Sequence, residues 1–119
     1  MARIIRAGNA KDLKLPGRKS LEIVSAQTGS ENITLRLVEI HVPQAGEPPR
    51  AMHRHGGFEE CMYVLAGEGV IHTEGSECPF SAGDTIFVPA GELHVTRNTG
   101  STPLKLLCFF PTANCSEQK

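Results

Sequence analysis

Two histidines separated by one residue, His53 and His55, open the part of this sequence that can do chemistry. On a strand, residues i and i+2 point to the same face, so both imidazoles can reach one point in space. Glu60 begins the apolar run Glu60-Cys61-Met62-Tyr63-Val64-Leu65. The Gly56-Gly57 pair ahead of it permits a sharp reversal that would return the carboxylate to the histidines. His94 follows a Pro89-Ala90-Gly91 turn and starts another apolar stretch. Two or three neutral imidazoles with one carboxylate suit Fe(II), Mn(II), Ni(II) or Zn(II). Taken singly, each residue has an ordinary reading: a surface His-x-His pair, a solvated glutamate at a strand end, a histidine in a turn.

The elements that would position these groups are short. Twelve glycines and eight prolines punctuate the chain, and no long segment carries a 3.6-residue apolar period. Runs rich in β-branched and aliphatic residues predict strands at Leu21–Ser25, Asn32–Val42, Met52–His55, Glu60–Leu65, Gly69–Thr73, Thr85–Val88, His94–Asn98 and Leu104–Phe110. Turn signals separate them, among them Thr28-Gly29-Ser30, Glu74-Gly75-Ser76 and Ala82-Gly83-Asp84. Many short strands with regular turns make an all-β sandwich or barrel. Residues 1–119 are expected to form a single domain with its core at about 20–112, an N-terminal arm or edge strand before it and a frayed tail at 113–119.

The net charge of −1 and the scattered basic residues argue against a nucleic-acid partner. The densest basic set, Arg3, Arg6, Lys11, Lys14, Arg18 and Lys19, reads as a solvated N-terminal face. No apolar run approaches a membrane span, and the first residues lack the apolar core of a secretory signal, so a cytoplasmic protein is expected. The cysteines, Cys61, Cys78, Cys108 and Cys115, show no C-x-x-C spacing and read as free thiols.

Two stretches resemble the paired motifs of the cupin superfamily. Gly46 to Gly67 carries a glycine, His53-x-His55, four residues, Glu60, six residues and Gly67. Gly83 to Asn98 carries Gly83, Pro89, Gly91, His94 and Asn98 in the order of the second motif. Fifteen residues separate Gly67 from Gly83, as in compact microbial members. One spacing departs: six residues, not five, lie between Gly46 and His53, which alters a loop and not a ligand. Glu60 rather than Glu59 keeps the six-residue step to Gly67.

The resemblance implies an all-β conical barrel, or double-sheet jelly roll, holding one divalent transition metal (Fe, Mn, Ni or Zn) on His53, His55, Glu60 and His94. It implies turns of positive φ at Gly67 and Gly83, a loop pre-set by Pro89 that delivers His94, and Asn98 as a brace. Four protein ligands would leave one or two octahedral positions open for water, oxygen or substrate.

Strand alternation extends the reading to the pocket. With Glu60 inward, Met62 and Val64 point in and Cys61 and Tyr63 point out. With His94 inward, Thr96 follows. Lys105 needs water, which turns Leu106, Cys108 and Phe110 inward. The strand from Ile33 to Val42 forces a choice, since Arg36 shares a face with Thr34, Val38 and Ile40, and His41 shares the other with Glu39. Arg36 inward suits an anionic substrate, whereas His41 or Glu39 inward suits a general base. The candidate substrate-binding residues are thus Arg36, His41, Met62, Val64, Thr96, Cys108 and Phe110. Cys61, Tyr63 and Leu65 form an outward stripe that predicts a homodimer. Cys115, in the tail, is expected to be the most reactive thiol.

These residues favour a metal-dependent enzyme acting on a small organic molecule, with oxygenase or oxidase chemistry first. A redox-neutral isomerase, lyase or decarboxylase is the alternative within the same site. A non-catalytic module that binds a small molecule or metal is the alternative outside enzymes.

Overall fold

The computed structural model describes residues 1–115. Its strands, in chain order, are β1 (Lys11–Asp12), β2 (Lys19–Val24), β3 (Thr34–Ile40), β4 (Glu60–Ala66), β5 (Glu68–Thr73), β6 (Ser76–Ser81), β7 (Thr85–Val88), β8 (His94–Asn98) and β9 (Leu104–Phe110). They build two antiparallel sheets, a six-stranded one in the order β1-β2-β3-β9-β4-β7 and a three-stranded one in the order β6-β5-β8. The neighbours β3, β9 and β4 come from distant parts of the chain, and the result is the jelly roll expected from the motifs.

Alternation decides what enters the barrel. In β4 the burial runs in and out residue by residue, with Glu60, Met62 and Val64 buried and Cys61, Tyr63 and Leu65 exposed. In β9 the buried set is Leu104, Leu106, Cys108 and Phe110, while Lys105 faces water. Register then stacks these residues in rows across the sheet. Arg36, Cys108, Met62 and Ile86 form one row, and Val38, Leu106 and Val64 the next. Leu104, Leu106 and Val64 are at most 1% exposed. Truncating Leu106 to alanine would cost about 2–5 kcal/mol.

The choice posed by β3 is resolved by burial. Thr34, Val38 and Ile40 are buried, so Arg36 lies on the interior face. Its guanidinium meets Glu22, the residue directly opposite on β2, at 2.9 Å and stands 5.5 Å over the Phe110 ring. Glu39 faces outward toward Lys105 at 3.7 Å.

Several expectations need correction. Met52–His55 is not a strand; His53 makes an isolated bridge to His94. The strand β6 was not expected, because its residues are mostly exposed and include Pro79. It is an edge strand, where a missing N–H is tolerated. Cys115 is not an exposed tail thiol. It is 5% exposed and packs in the core cluster with Phe110, while the carbonyl of Ala113 accepts from Ala26 N at 2.9 Å. The remainder of the expected tail, 116–119, lies outside the described residues. Among the described residues no helix is long and apolar enough to cross a membrane.

Candidate metal centre

His53 and His94 are joined by two backbone hydrogen bonds, His53 N to His94 O and His94 N to His53 O, both 2.8 Å. This closely spaced pair sets the two residues side by side, with side chains on one face. His55 follows two residues on and returns its ring to the same side. The turn that delivers His94 is fixed to this segment as well, because Gly91 N donates to His55 O at 2.9 Å. The three rings lie with centroids 4.5–5.3 Å apart. One nitrogen from each comes within 4.8 Å of the others.

The carboxylate of Glu60 enters from β4. Its Oε1 is 2.9 Å from His55 Nε2 and 3.4 Å from His94 Nε2. Glu60, His55 and His94 are each at most 5% exposed. Phe58 stacks on the His55 ring at 5.4 Å, and Phe110 meets it edge-on at 5.0 Å.

The protonation pattern fits a cation. His94 Nδ1 faces the Glu92 carbonyl at 2.8 Å, and a carbonyl only accepts, so Nδ1 carries a proton. In the neutral ring, Nε2 is then a bare lone pair. It is buried and has no hydrogen-bond partner. An unpartnered buried lone pair beside a carboxylate oxygen is costly unless a proton or a metal ion stands between them. On His55 it is Nε2 that faces Glu60, at 2.9 Å, while Nδ1 is buried on the other side of the ring without a partner. Three imidazoles and one carboxylate are donors that first-row divalent ions accept.

Electrostatics point the same way. Burial, followed by repulsion from His94 and His55, lowers His53 to about 4, so it is neutral and free to ligate near pH 7. Burial alone would raise Glu60, but the hydrogen bond with His55 and the nearby ring of His94 outweigh it and hold the carboxyl at about 2. Burial also pulls His94 down, yet the Glu60 carboxylate and the Glu92 carbonyl overcome it and the net shift is upward. The Cys108 thiol is pushed well above its ordinary value, first by burial and then by Glu60.

The cavity around this cluster measures about 50 Å³. Of the candidate substrate residues, Arg36, Met62, Thr96, Cys108 and Phe110 line it. Two do not. Val64 is wholly buried in the core beneath the cavity, and His41 lies outside the barrel, where its Nε2 meets Glu47 at 2.8 Å. The general-base role open to His41 or Glu39 is therefore not available inside the barrel. Asn98 braces: its amide donates to Ile40 O at 3.0 Å and Thr102 O at 2.8 Å. Gly67 and Gly83 take φ of 91° and 95°, as the turns require.

Sequence reasoning missed Arg18 and Arg50, which also line the cavity. By charge pattern alone Arg18 falls on a solvated face. Arg50 sits in the proline-rich loop after β3, outside any alternation, and its one signal is proximity to His53. Arg18 bonds Pro16 O and Arg50 bonds Thr96 O, and neither has a carboxylate partner among the described residues. Burial, then repulsion from Arg18 and Arg97, lowers Arg50 to about 10.

The sequence profile of the cupin domain family matches residues 38–110, more than half of the chain, and the chain belongs to that family. An oxalate-binding protein of Thermotoga maritima is 46% identical over 56 residues, covering 47% of this chain and 46% of that protein. An uncharacterised protein of Methanocaldococcus jannaschii is 37% identical over 72 residues, covering 60% of this chain and 56% of its own. The chain thus spans about half the length of the curated relatives it matches. Among solved structures, a predicted oxalate decarboxylase from Thermotoga maritima superposes with a TM-score of 0.73 at 24% identity, covering 92% of this chain and 99% of that one. The oxalate decarboxylase of Lactobacillus farciminis gives 0.77 at 22% identity, covering 94% of this chain and 33% of that one. At these identities the likeness establishes the fold.

Proposed function

We propose that the chain, as one cupin domain, holds one divalent transition metal on His53 Nε2, His55 Nε2, Glu60 and His94 Nε2 and takes a small organic carboxylate into the same cavity. The observation that carries this reading is the buried, partnerless His94 Nε2, aimed at Glu60 while Nδ1 is tied to the Glu92 carbonyl. The anion follows from Arg18 and Arg50, two guanidiniums at the cavity that lack a carboxylate. A bound carboxylate would supply the missing counter-charge through charge-assisted hydrogen bonds. The cavity of about 50 Å³ limits the ligand to a few heavy atoms, the size of a short mono- or dicarboxylate. Names of the relatives, an oxalate-binding protein and oxalate decarboxylases, support the same class.

A metal ion bound here would supply a Lewis acid that polarises the carboxylate oxygens. The chain's own residues bind and orient the anion through the arginines, and Met62, Leu106 and Phe110 give the cavity an apolar wall. Among the described lining residues, Glu60 is the sole carboxylate facing the three imidazoles, so proton transfer by the protein would have to involve the ligand set itself. This favours binding; cleavage to carbon dioxide and formate would have to take the proton that forms the C–H bond from the ligand set or from solvent. The oxygenase reading draws its support from the donor set alone.

The test is metal analysis of anaerobically purified protein, followed by calorimetric titration with oxalate. Metal at one equivalent, and oxalate affinity that falls in Arg50→Gln, are expected. A metal-loaded chain that binds no small carboxylate would overturn the anion. Release of carbon dioxide and formate, against oxygen uptake, separates the lyase from the oxygenase. We further propose that two chains pair through the outer face of the large sheet.

A further inference from the structure

A second cavity, of about 320 Å³, lies outside the barrel between the outer face of the small sheet and the loop that follows β3. Its apolar wall is Val70 on β5 and Pro43, Pro48 and Pro49 of the loop. Arg97 and Arg50 also line it. Arg97 is adjacent in chain to Thr96, whose carbonyl Arg50 holds, and Arg97 itself donates to the Arg50 carbonyl at 3.1 Å. Both guanidiniums thus bond carbonyls, and among the described residues neither has a carboxylate partner.

Two carboxylates also border this cavity, and both are occupied. Glu47 accepts from His41 at 2.8 Å and from Gln44 N at 2.9 Å. Glu77 faces His72 at 3.6 Å. Glu47, Glu77 and His41 are exposed, so they form a rim screened by water, whereas both arginines are half-buried. The field at the half-buried part of the wall is therefore set by the arginines.

We propose that this outer cavity is a binding site for an organic anion, its carboxylate on Arg97 and Arg50 and its apolar body against Val70 and the loop prolines. The volume fits a metabolite-sized ligand, larger than the metal cavity admits. Repulsion between Arg50 and Arg97 would be relieved by the anion, and the half-buried setting strengthens the contact relative to a surface pair. Because Arg50 and Thr96 line both cavities, the outer site touches the wall of the metal site. It does not depend on a metal being bound there.

The experiment is amide shift mapping by heteronuclear NMR on the full chain, titrated with hexanoate, acetate, inorganic phosphate and hexylammonium. Hexanoate should give saturable shifts at Val70, His72, Arg97 and Thr99, and acetate weaker ones. Hexylammonium should give none. Arg97→Gln should weaken hexanoate by about tenfold or more, the loss of one charge-assisted contact, and Arg97→Lys should recover part of it. Thermal unfolding of each variant shows whether the fold survives. Val70→Glu, which sets a carboxylate directly opposite Arg97 across the strands and so occupies the guanidinium from within the chain, should give the same loss by a second route. His55→Ala, which disables the proposed metal centre, should bind hexanoate as the unaltered chain does, so the two proposals fail separately. Absence of saturable shifts at these residues, equal affinity in folded Arg97→Gln, or phosphate binding better than hexanoate would overturn the site as assigned.

Discussion

Arg50 and Arg97 hold each other's backbone surroundings: the Arg50 guanidinium donates to Thr96 O, and the Arg97 guanidinium donates to Arg50 O at 3.1 Å. This clasp ties the proline-rich loop to β8, the strand that carries His94. The loop leads directly into His53, and His53 is bonded in turn to His94. The metal cluster is therefore assembled at one crossing point between a loop and an edge strand, with Glu60 brought in from the opposite sheet. A disturbance of the clasp should reach the site through position rather than through charge alone.

Removing a histidine should remove the metal. His55→Ala, which deletes the ring wedged between Phe58, Phe110 and Glu60, should lower metal affinity by more than the roughly 10–100-fold seen for supporting residues. His53→Ala/His55→Ala should abolish it. Elemental analysis of the purified variants checks this, and full occupancy in the double variant would sink the ligand assignment.

Metal uptake should weaken on acidification, with His94 setting the range. His53 is already neutral down to about pH 4, and Glu60 is ionised down to about pH 2, so neither competes with metal near neutrality. His94 is raised above 6.5 and holds a proton that the metal must displace. Above that raised value its proton is gone and affinity levels off. Below it, the proton on His94 by itself should lower affinity about tenfold per pH unit. Calorimetric titration of zinc between about pH 7 and pH 5 measures the slope, and a flat profile there would exclude His94 as a ligand.

Gly17 offers a test of Arg50 that leaves the arginine in place. At Gly17 the backbone has φ of +77°, and an added Cβ would lie 2.7 Å from Arg50 Cδ. Gly17→Ala should therefore displace the Arg50 side chain and weaken carboxylate binding in the metal cavity by several-fold, while metal content stays near that of the parent. Oxalate titration of the metal-loaded variant checks it. Unchanged affinity would mean that Arg50 does not position the anion.

The sequence made the interior of the barrel legible because alternation carries position. Once Glu60 and Lys105 were oriented, Met62, Val64, Leu106, Cys108 and Phe110 followed by parity, and all are buried. What alternation cannot reach is a side chain delivered by irregular backbone. Arg50 lies in a loop and Arg18 precedes β2, and alternation orients neither. The orientation of Arg36 needed the pairing of β3 with β2, which put Glu22 opposite it. Edge strand β6 was illegible for a related reason, since an exposed edge need not be apolar.

Thiol labelling reads the same parity directly. Cys61 and Cys78 are exposed, while Cys108 and Cys115 are buried. Burial also raises the thiols of Cys108 and Cys115, which lowers their thiolate fraction. In the native chain Cys78 should react with a maleimide well before Cys108 and Cys115, Cys61 should react as fast only where the chains are parted, as in Phe87→Asp, and all four should react in denaturant. Peptide mass mapping identifies the sites. Fast labelling of Cys115 would mean that residues around it do not pack as described.

The outer face of the large sheet should join two chains. Tyr63, Leu65, Phe87 and Phe109 are 46%, 46%, 55% and 39% exposed. Register makes them contiguous, since Cys61 lies between Phe109 of β9 and Phe87 of β7, and Tyr63 lies beside Leu107. A single exposed aromatic is ordinary, but a continuous apolar face of this kind marks an interaction surface. Burying each large side chain would contribute about 1.5–3 kcal/mol, so one charge placed in the row should be enough to part the chains. Light scattering should give twice 12.8 kDa for the parent chain and 12.8 kDa for Phe87→Asp. Phe87 points away from the barrel interior, so Phe87→Asp should keep its metal. A parent mass of 12.8 kDa at micromolar concentration would show that this face does not pair two chains.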